Sequence, residues 1–174
     1  MKSSIVPWLD SLTARLNTKG PTEACMSAPS IGKKGFARVV VAVDGSEVSL
    51  RAAEHAARIA KQDGAELLAL HVVPAPQFEV QGGLADNYAN ARRNAKKWMK
   101  EVEDIATRNG VVARAEIVVG AYSVVDAILG YAETMKADLI VTGTRGTTPS
   151  RRILVGSVAS GLVEYSGCAV LVIR

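Results

Sequence analysis

Cysteine is scarce in this chain of 174 residues: Cys25 and Cys168 stand apart, with no CxxC pair and no metal-ligand spacing. That excludes a disulfide scaffold or a zinc ribbon, and two unpaired thiols fit a reducing compartment. Aromatic residues are equally sparse, 5% of the chain against 48% apolar overall, so Ala, Val, Leu and Ile must supply the core. A core of that kind suits parallel strands covered by closely packed helices. Runs of about 18 apolar residues are missing, which excludes a membrane-spanning helix. Residues 1–20 also lack the continuous apolar stretch of a signal peptide, so the expected location is the cytoplasm. Two familiar phosphate-binding motifs, GxxxxGK[ST] and GxGxxG, do not occur.

What charge there is lies mainly at one end. The net charge is +4, but residues 1–35 hold five basic and two acidic side chains, a net of +3, leaving +1 for residues 36–174. A nearly neutral globular part argues against a nucleic-acid surface.

Residues 17–35 are rich in Gly, Pro, Ser and Lys and read as a linker, and the domain proper starts near Phe36. Before the linker, Ile5, Trp8, Leu9, Leu12 and Leu16 recur at helical spacing. They predict a short amphipathic helix, too short to be stable alone in water and suited to dock on its own or a neighbouring subunit or on a protein partner.

Five strands are predicted at Val39–Val43, Leu67–Val73, Ala113–Val119, Leu139–Thr142 and Ala169–Ile173. The third alternates apolar residues with Arg114 and Glu116, as an edge strand would. Four helices are predicted between them, at residues 47–62, 86–108, 123–135 and 157–166. Leu50, Ala53, Ala57 and Ala60 give the first helix a small-residue face. In the second, Tyr88, Ala91, Ala95, Trp98, Val102 and Ile105 form the apolar stripe, with Arg92, Arg93, Lys96, Lys97 and Lys100 on a solvated face. This alternation predicts an α/β fold with a doubly wound five-stranded parallel sheet. In such a sheet, ligands bind at the carboxyl ends of the strands where the strand order reverses.

The richest segment for chemistry is Gly143-Thr-Arg-Gly146, followed nine residues later by Gly156-Ser157. Glycines after a strand permit positive φ and close approach of backbone N–H groups. A helix N-terminus adds free N–H donors and partial positive charge. Together they make a phosphate cradle, with the Ser157 hydroxyl as a further donor. Arg145, Arg151 and Arg152 are placed to neutralise phosphate or simply to be solvated. Asp44 closes the first strand; before Gly-Ser it also fits an ordinary turn or cap. His71 reads as a structural histidine, and His55 supports no catalytic triad. If Asp44 and Gly143 serve one ligand, their strands are neighbours, which favours the order 3-2-1-4-5 over 2-1-3-4-5.

The spacing Gly143, Gly146, Gly156, Ser157 resembles the signature of the universal stress protein family in its ATP-binding, glycine-signature branch. Val39-Val-Val-Ala-Val-Asp44-Gly-Ser46, Leu70-His71-Val72, Ala137-Asp138-Leu-Ile-Val-Thr-Gly-Thr and Cys168-Ala-Val-Leu-Val-Ile are similar to other parts of that family. The resemblance covers residues 36–174. It implies ATP, with Mg²⁺, as the ligand: Asp44 on the ribose or adenosine side, Ala42 and Val43 beside it, and Val72 against the adenine. Thr142, Gly143, Arg145, Gly146, Gly156, Ser157 and Val158 would surround ribose and phosphates. It further implies a homodimer formed through the C-terminal strand. Two departures stand out, a polar loop at Thr147-Thr-Pro-Ser150 and Ala169 where the family often has Pro.

No catalytic constellation or metal-ligand cluster is legible. The expected role is a nucleotide-responsive binding module in stress adaptation, with slow hydrolysis at most. The alternatives are a hydrolysing or nucleotidyl-transferring enzyme of the same α/β class, and a structural dimer that binds no nucleotide.

Overall fold

Val39, Val40 and Val41 are wholly shielded from solvent, as befits a strand buried on both faces. They form the centre of β1 (Arg38–Ala42) in a computed structural model that describes residues 35–75, 84–146 and 155–174, with side chains of 84–88 not described. The amphipathic stripe Ile5–Leu16, the linker to residue 34, the loop Thr147–Ser150 and Arg151 and Arg152 lie outside the described residues.

The other elements follow in strict alternation: α1 (Glu47–Asp63), β2 (Glu66–Pro74), α2 (Leu84–Arg108), β3 (Ala113–Ala121), α3 (Val124–Thr134), β4 (Leu139–Gly143), α4 (Ser157–Tyr165) and β5 (Ala169–Ile173). All strand pairs are parallel and the order is β3-β2-β1-β4-β5. This is the predicted topology, with β3 and β5 at the edges. The register places Val39 beside Leu67 and Leu139, and Val41 beside Ala69 and Val141.

Two of the helix starts have a local cause in a serine cap. Ser46 accepts from the Ser49 amide to cap α1, and Ser123 accepts from the Asp126 amide to cap α3. Gly64 ends α1 in the left-handed conformation, donating its N–H to the Ala60 carbonyl. The inner face of α1 is Ala52, Ala53, Ala56, Ala57 and Ala60, all at 0% exposure. Small residues let this helix lie close on Val39, Val41 and Val141, and Met99, Val102 and Ile105 of α2 complete that layer. Ile128 and Tyr131 of α3 and Leu162 of α4 are buried in the remaining layer.

The amino ends of the strands are tied by carboxylates. Asp138 accepts from the amides of Ala37 and Arg38, at 2.8 and 2.9 Å, and Asp63 accepts from the Phe36 amide at 2.8 Å. These charge-assisted bonds leave the carboxyl ends free to diverge.

Tyr131 is the largest fully buried side chain, and no partner meets hydrogen-bond geometry at its hydroxyl. Burial pushes its ionisation up from 10.0, and the negative charge of Glu116 nearby pushes it further. A neutral form favoured by folding stabilises the protein below pH 10, and that contribution is lost as pH rises through the folded value. Tyr131→Phe should therefore cost less than about 1 kcal/mol at pH 7. It should also flatten the loss of stability above pH 10 in urea titrations. An unchanged alkaline slope would show that another group controls it.

Candidate functional site

Val43, Asp44 and Gly45 leave β1 and turn into α1, while Gly143, Thr144, Arg145 and Gly146 leave β4 in the opposite direction. Adjacent strands whose crossovers diverge open a crevice between them. A cavity of about 760 Å³ lies there, bounded by the ends of β1, β2 and β4, the start of α4, and side chains of α2 and α3. Its size falls in the range of small-molecule sites. All eleven residues singled out from sequence line it: Ala42, Val43, Asp44, Val72, Thr142, Gly143, Arg145, Gly146, Gly156, Ser157 and Val158.

Asp44 is held in a tight local network. Its Oδ1 accepts from the Ser46 amide at 3.0 Å, and its own amide is 3.4 Å from the Ser49 hydroxyl. The Ser49 hydroxyl in turn donates to the Ser46 carbonyl at 2.8 Å. The carboxylate thus takes part in the turn, as an Asp before Gly-Ser commonly does, and still faces the crevice.

The signature glycines act by closeness rather than by unusual backbone angles, because none of the three has positive φ. Of the two freedoms that glycine offers after a strand, these positions use close approach. A Cβ on Gly146 would run into Oδ2 of Asp44. A Cβ on Gly143 would lie 3.0 Å from Val48 Cγ1 and 3.3 Å from the Ser49 amide nitrogen. On Gly156 it would meet the Thr144 carbonyl oxygen at 3.3 Å. The Gly156 amide donates to that same carbonyl at 2.6 Å, drawing the start of α4 against the end of β4.

Gly156 is the N-cap of α4 and makes no side-chain cap bond, while Ser157 is the first helical residue. The N–H groups of the first turn have no partner within a helix, and such donors, at the positive end of the helix dipole, suit an anion. An anionic group of a ligand fits here: backbone donors on one wall, glycines leaving room, and Arg145 on the rim.

Several lining residues escaped the sequence reading. Ser49, Asn94, Trp98, Val124 and Ile128 reach the crevice from three helices, and His71 lines it as well as being buried. The alternating apolar pattern of α2 marked Trp98 as core, which it partly is. No local motif signals that a helix side chain also faces a sheet end. Among the described residues no group of three or more His, Cys, Asp or Glu is arranged to hold a metal ion.

The fold and crevice define a doubly wound α/β protein with a cavity at its switch point. Residues 35–174 match the model of the universal stress protein family. The chain is 36% identical over 146 residues to universal stress protein MJ0531 of Methanocaldococcus jannaschii, covering 82% of this chain and 85% of that protein. Among solved structures it resembles universal stress protein UspA from Lactobacillus plantarum, with a TM-score of 0.73 and 30% identity, covering 80% of this chain and 99% of the other. It also resembles a universal stress protein in complex with cAMP, with a TM-score of 0.64 and 31% identity over 80% of this chain and 98% of that one. The chain belongs to the universal stress protein family. No helix among the described residues is long and apolar enough to cross a membrane.

Proposed function

We propose that the protein is an ATP-binding regulator of the stress response, in which occupancy of the crevice rather than turnover is the output. The observation that carries this reading is the convergence of Asp44, the close-packed glycines and the uncapped start of α4 on one cavity. Asp44 would accept from the ribose hydroxyls, and Val43 and Val72 would flank the adenine. The first-turn amides of α4, with Ser157 and Arg145, would take the phosphates, and Mg²⁺ would accompany them. A ligand that binds only the folded state raises its melting temperature, by about 2.7 kcal/mol of stabilisation at a hundredfold excess over Kd. Millimolar ATP should raise the melting temperature by several degrees, and Mg²⁺ should increase the shift. An unchanged curve would end the ATP reading.

A second reading, a nucleotide with a single phosphate, is favoured by the neighbour solved with cAMP. Melting curves with AMP and cAMP at matched concentration decide between the two.

Residues 1–35 are proposed as an extension serving a protein partner, and residues 36–174 as the nucleotide-binding domain, acting in the cytoplasm. Protein lacking residues 1–25 should then show the same ATP-dependent shift. If it does not, the boundary is misplaced.

Assembly is proposed to run through β5, an edge strand whose last four residues are only partly covered. Beside it α4 exposes Val163 at 59% and Tyr165 at 65%. An open apolar edge invites pairing, and a two-fold dimer with β5 antiparallel to its copy would cover it. Sedimentation should give a dimer at micromolar concentration, and a monomer there would refute the arrangement.

A further inference from the structure

Two rings grip the turn that carries Asp44. The buried His71 side chain, on β2, places Nδ1 2.7 Å from the Val43 carbonyl oxygen. A carbonyl only accepts, so Nδ1 carries the proton and donates. Trp98 of α2 meets the His71 ring edge-on, with centroids 5.2 Å apart and planes at 69°, an arrangement aromatic pairs favour. The same indole fills the space that a Cβ on Gly45 would occupy, and Gly45 sits at φ +82°. The residues on both sides of Asp44 are therefore fixed, Val43 by His71 and Gly45 by Trp98. Val43, Asp44, His71 and Trp98 all line the crevice.

We propose that Trp98 and His71 are positioning residues that give the crevice its preference for a hydroxyl-bearing sugar, by fixing where the Asp44 carboxylate stands. This rests on the nucleotide reading above, in which Asp44 accepts from the ribose. Hydrogen bonds to a carboxylate are strong but directional, and they weaken steeply when the acceptor is displaced or turned. The start of α4, where the phosphates would lie, is held by a different contact, the bond from the Gly156 amide to the Thr144 carbonyl. Loosening the turn should thus weaken sugar recognition and leave phosphate binding largely intact.

The test measures ATP and 2′,3′-dideoxyATP binding by calorimetry on the full chain. The parent should prefer ATP by about tenfold, the worth of hydrogen bonds to a charged group. Trp98→Leu and His71→Phe should cut that preference to about twofold, with dideoxyATP affinity changed by no more than about threefold. Trp98→Phe keeps a ring, and His71→Asn keeps a donor near the Nδ1 position, so both should retain most of the preference. Should Trp98→Leu fail to fold by circular dichroism, the His71→Phe and His71→Asn pair decides alone. An unchanged ratio in His71→Phe, or equal weakening of both nucleotides, overturns the proposal. If the parent binds both nucleotides equally, the proposal fails while nucleotide binding stands. If the parent binds neither, the nucleotide reading itself fails and takes this one with it.

Discussion

Gly146→Val and Gly156→Val will fold and melt close to the parent, yet ATP will no longer raise their melting temperatures. Gly146 lies at the surface, so valine there has solvent on one side, but its Cβ is directed onto the Asp44 carboxylate. The carboxylate must swing away or the loop must retreat, and the valine itself would take up room in the crevice that Gly146 lines. Valine at Gly156 crowds the Thr144 carbonyl, which sets the approach of α4 to β4. Its branches would also stand over the first-turn amides. The expected loss is the whole ligand-induced stabilisation, about 2 to 3 kcal/mol at a hundredfold excess of nucleotide. Differential scanning fluorimetry with and without ATP measures it. A parental shift in both variants would mean that the glycines do not border the bound phosphates.

Gly45→Ala will be far more destabilising than Gly64→Ala, although both glycines have positive φ. Two independent penalties coincide at Gly45. The residue sits at φ +82°, which costs an L-amino acid on the order of 1–3 kcal/mol. The added methyl group also enters the volume of the Trp98 indole, an overpacking of about 1–3 kcal/mol. A total near 3 kcal/mol corresponds to a fall of roughly 10 °C in a domain of this size. Gly64→Ala is the matched control. It also has positive φ, at +66°, but nothing lies within 4 Å of its added Cβ. The difference between the two variants isolates the contact with Trp98. Equal destabilisation in thermal melts would refute the claim that the indole fills the turn.

These two glycine pairs illustrate what could be read from sequence and what could not. The spacing of Gly143, Gly146 and Gly156 marked the crevice because a family signature is a local string. The alternation of Val-rich runs with Ala-faced helices yielded the parallel sheet because each period is local as well. Sharing one ligand between Asp44 and Gly143 required β1 beside β4, and that inference delivered the strand order. The physical cause behind the glycines was not legible, since close approach depends on the partner atom. Asp44 is the neighbour of Gly146 although about a hundred positions separate them in the sequence. For the same reason Gly45 passed as an ordinary turn glycine, and Trp98 as ordinary core. Only the packing of α2 over the end of β1 gives either residue its role.

The carboxylates of Asp138 and Asp63 hold the amino ends of the strands, whereas the crevice occupies the opposite ends. Evolution can therefore alter one pole without endangering the other. Substitutions around Asp44, Trp98 or the start of α4 reshape the crevice, while the anchoring of the sheet by Asp138 and Asp63 goes untouched. A lineage carrying this architecture can vary the crevice end while the same two carboxylates keep the other end anchored.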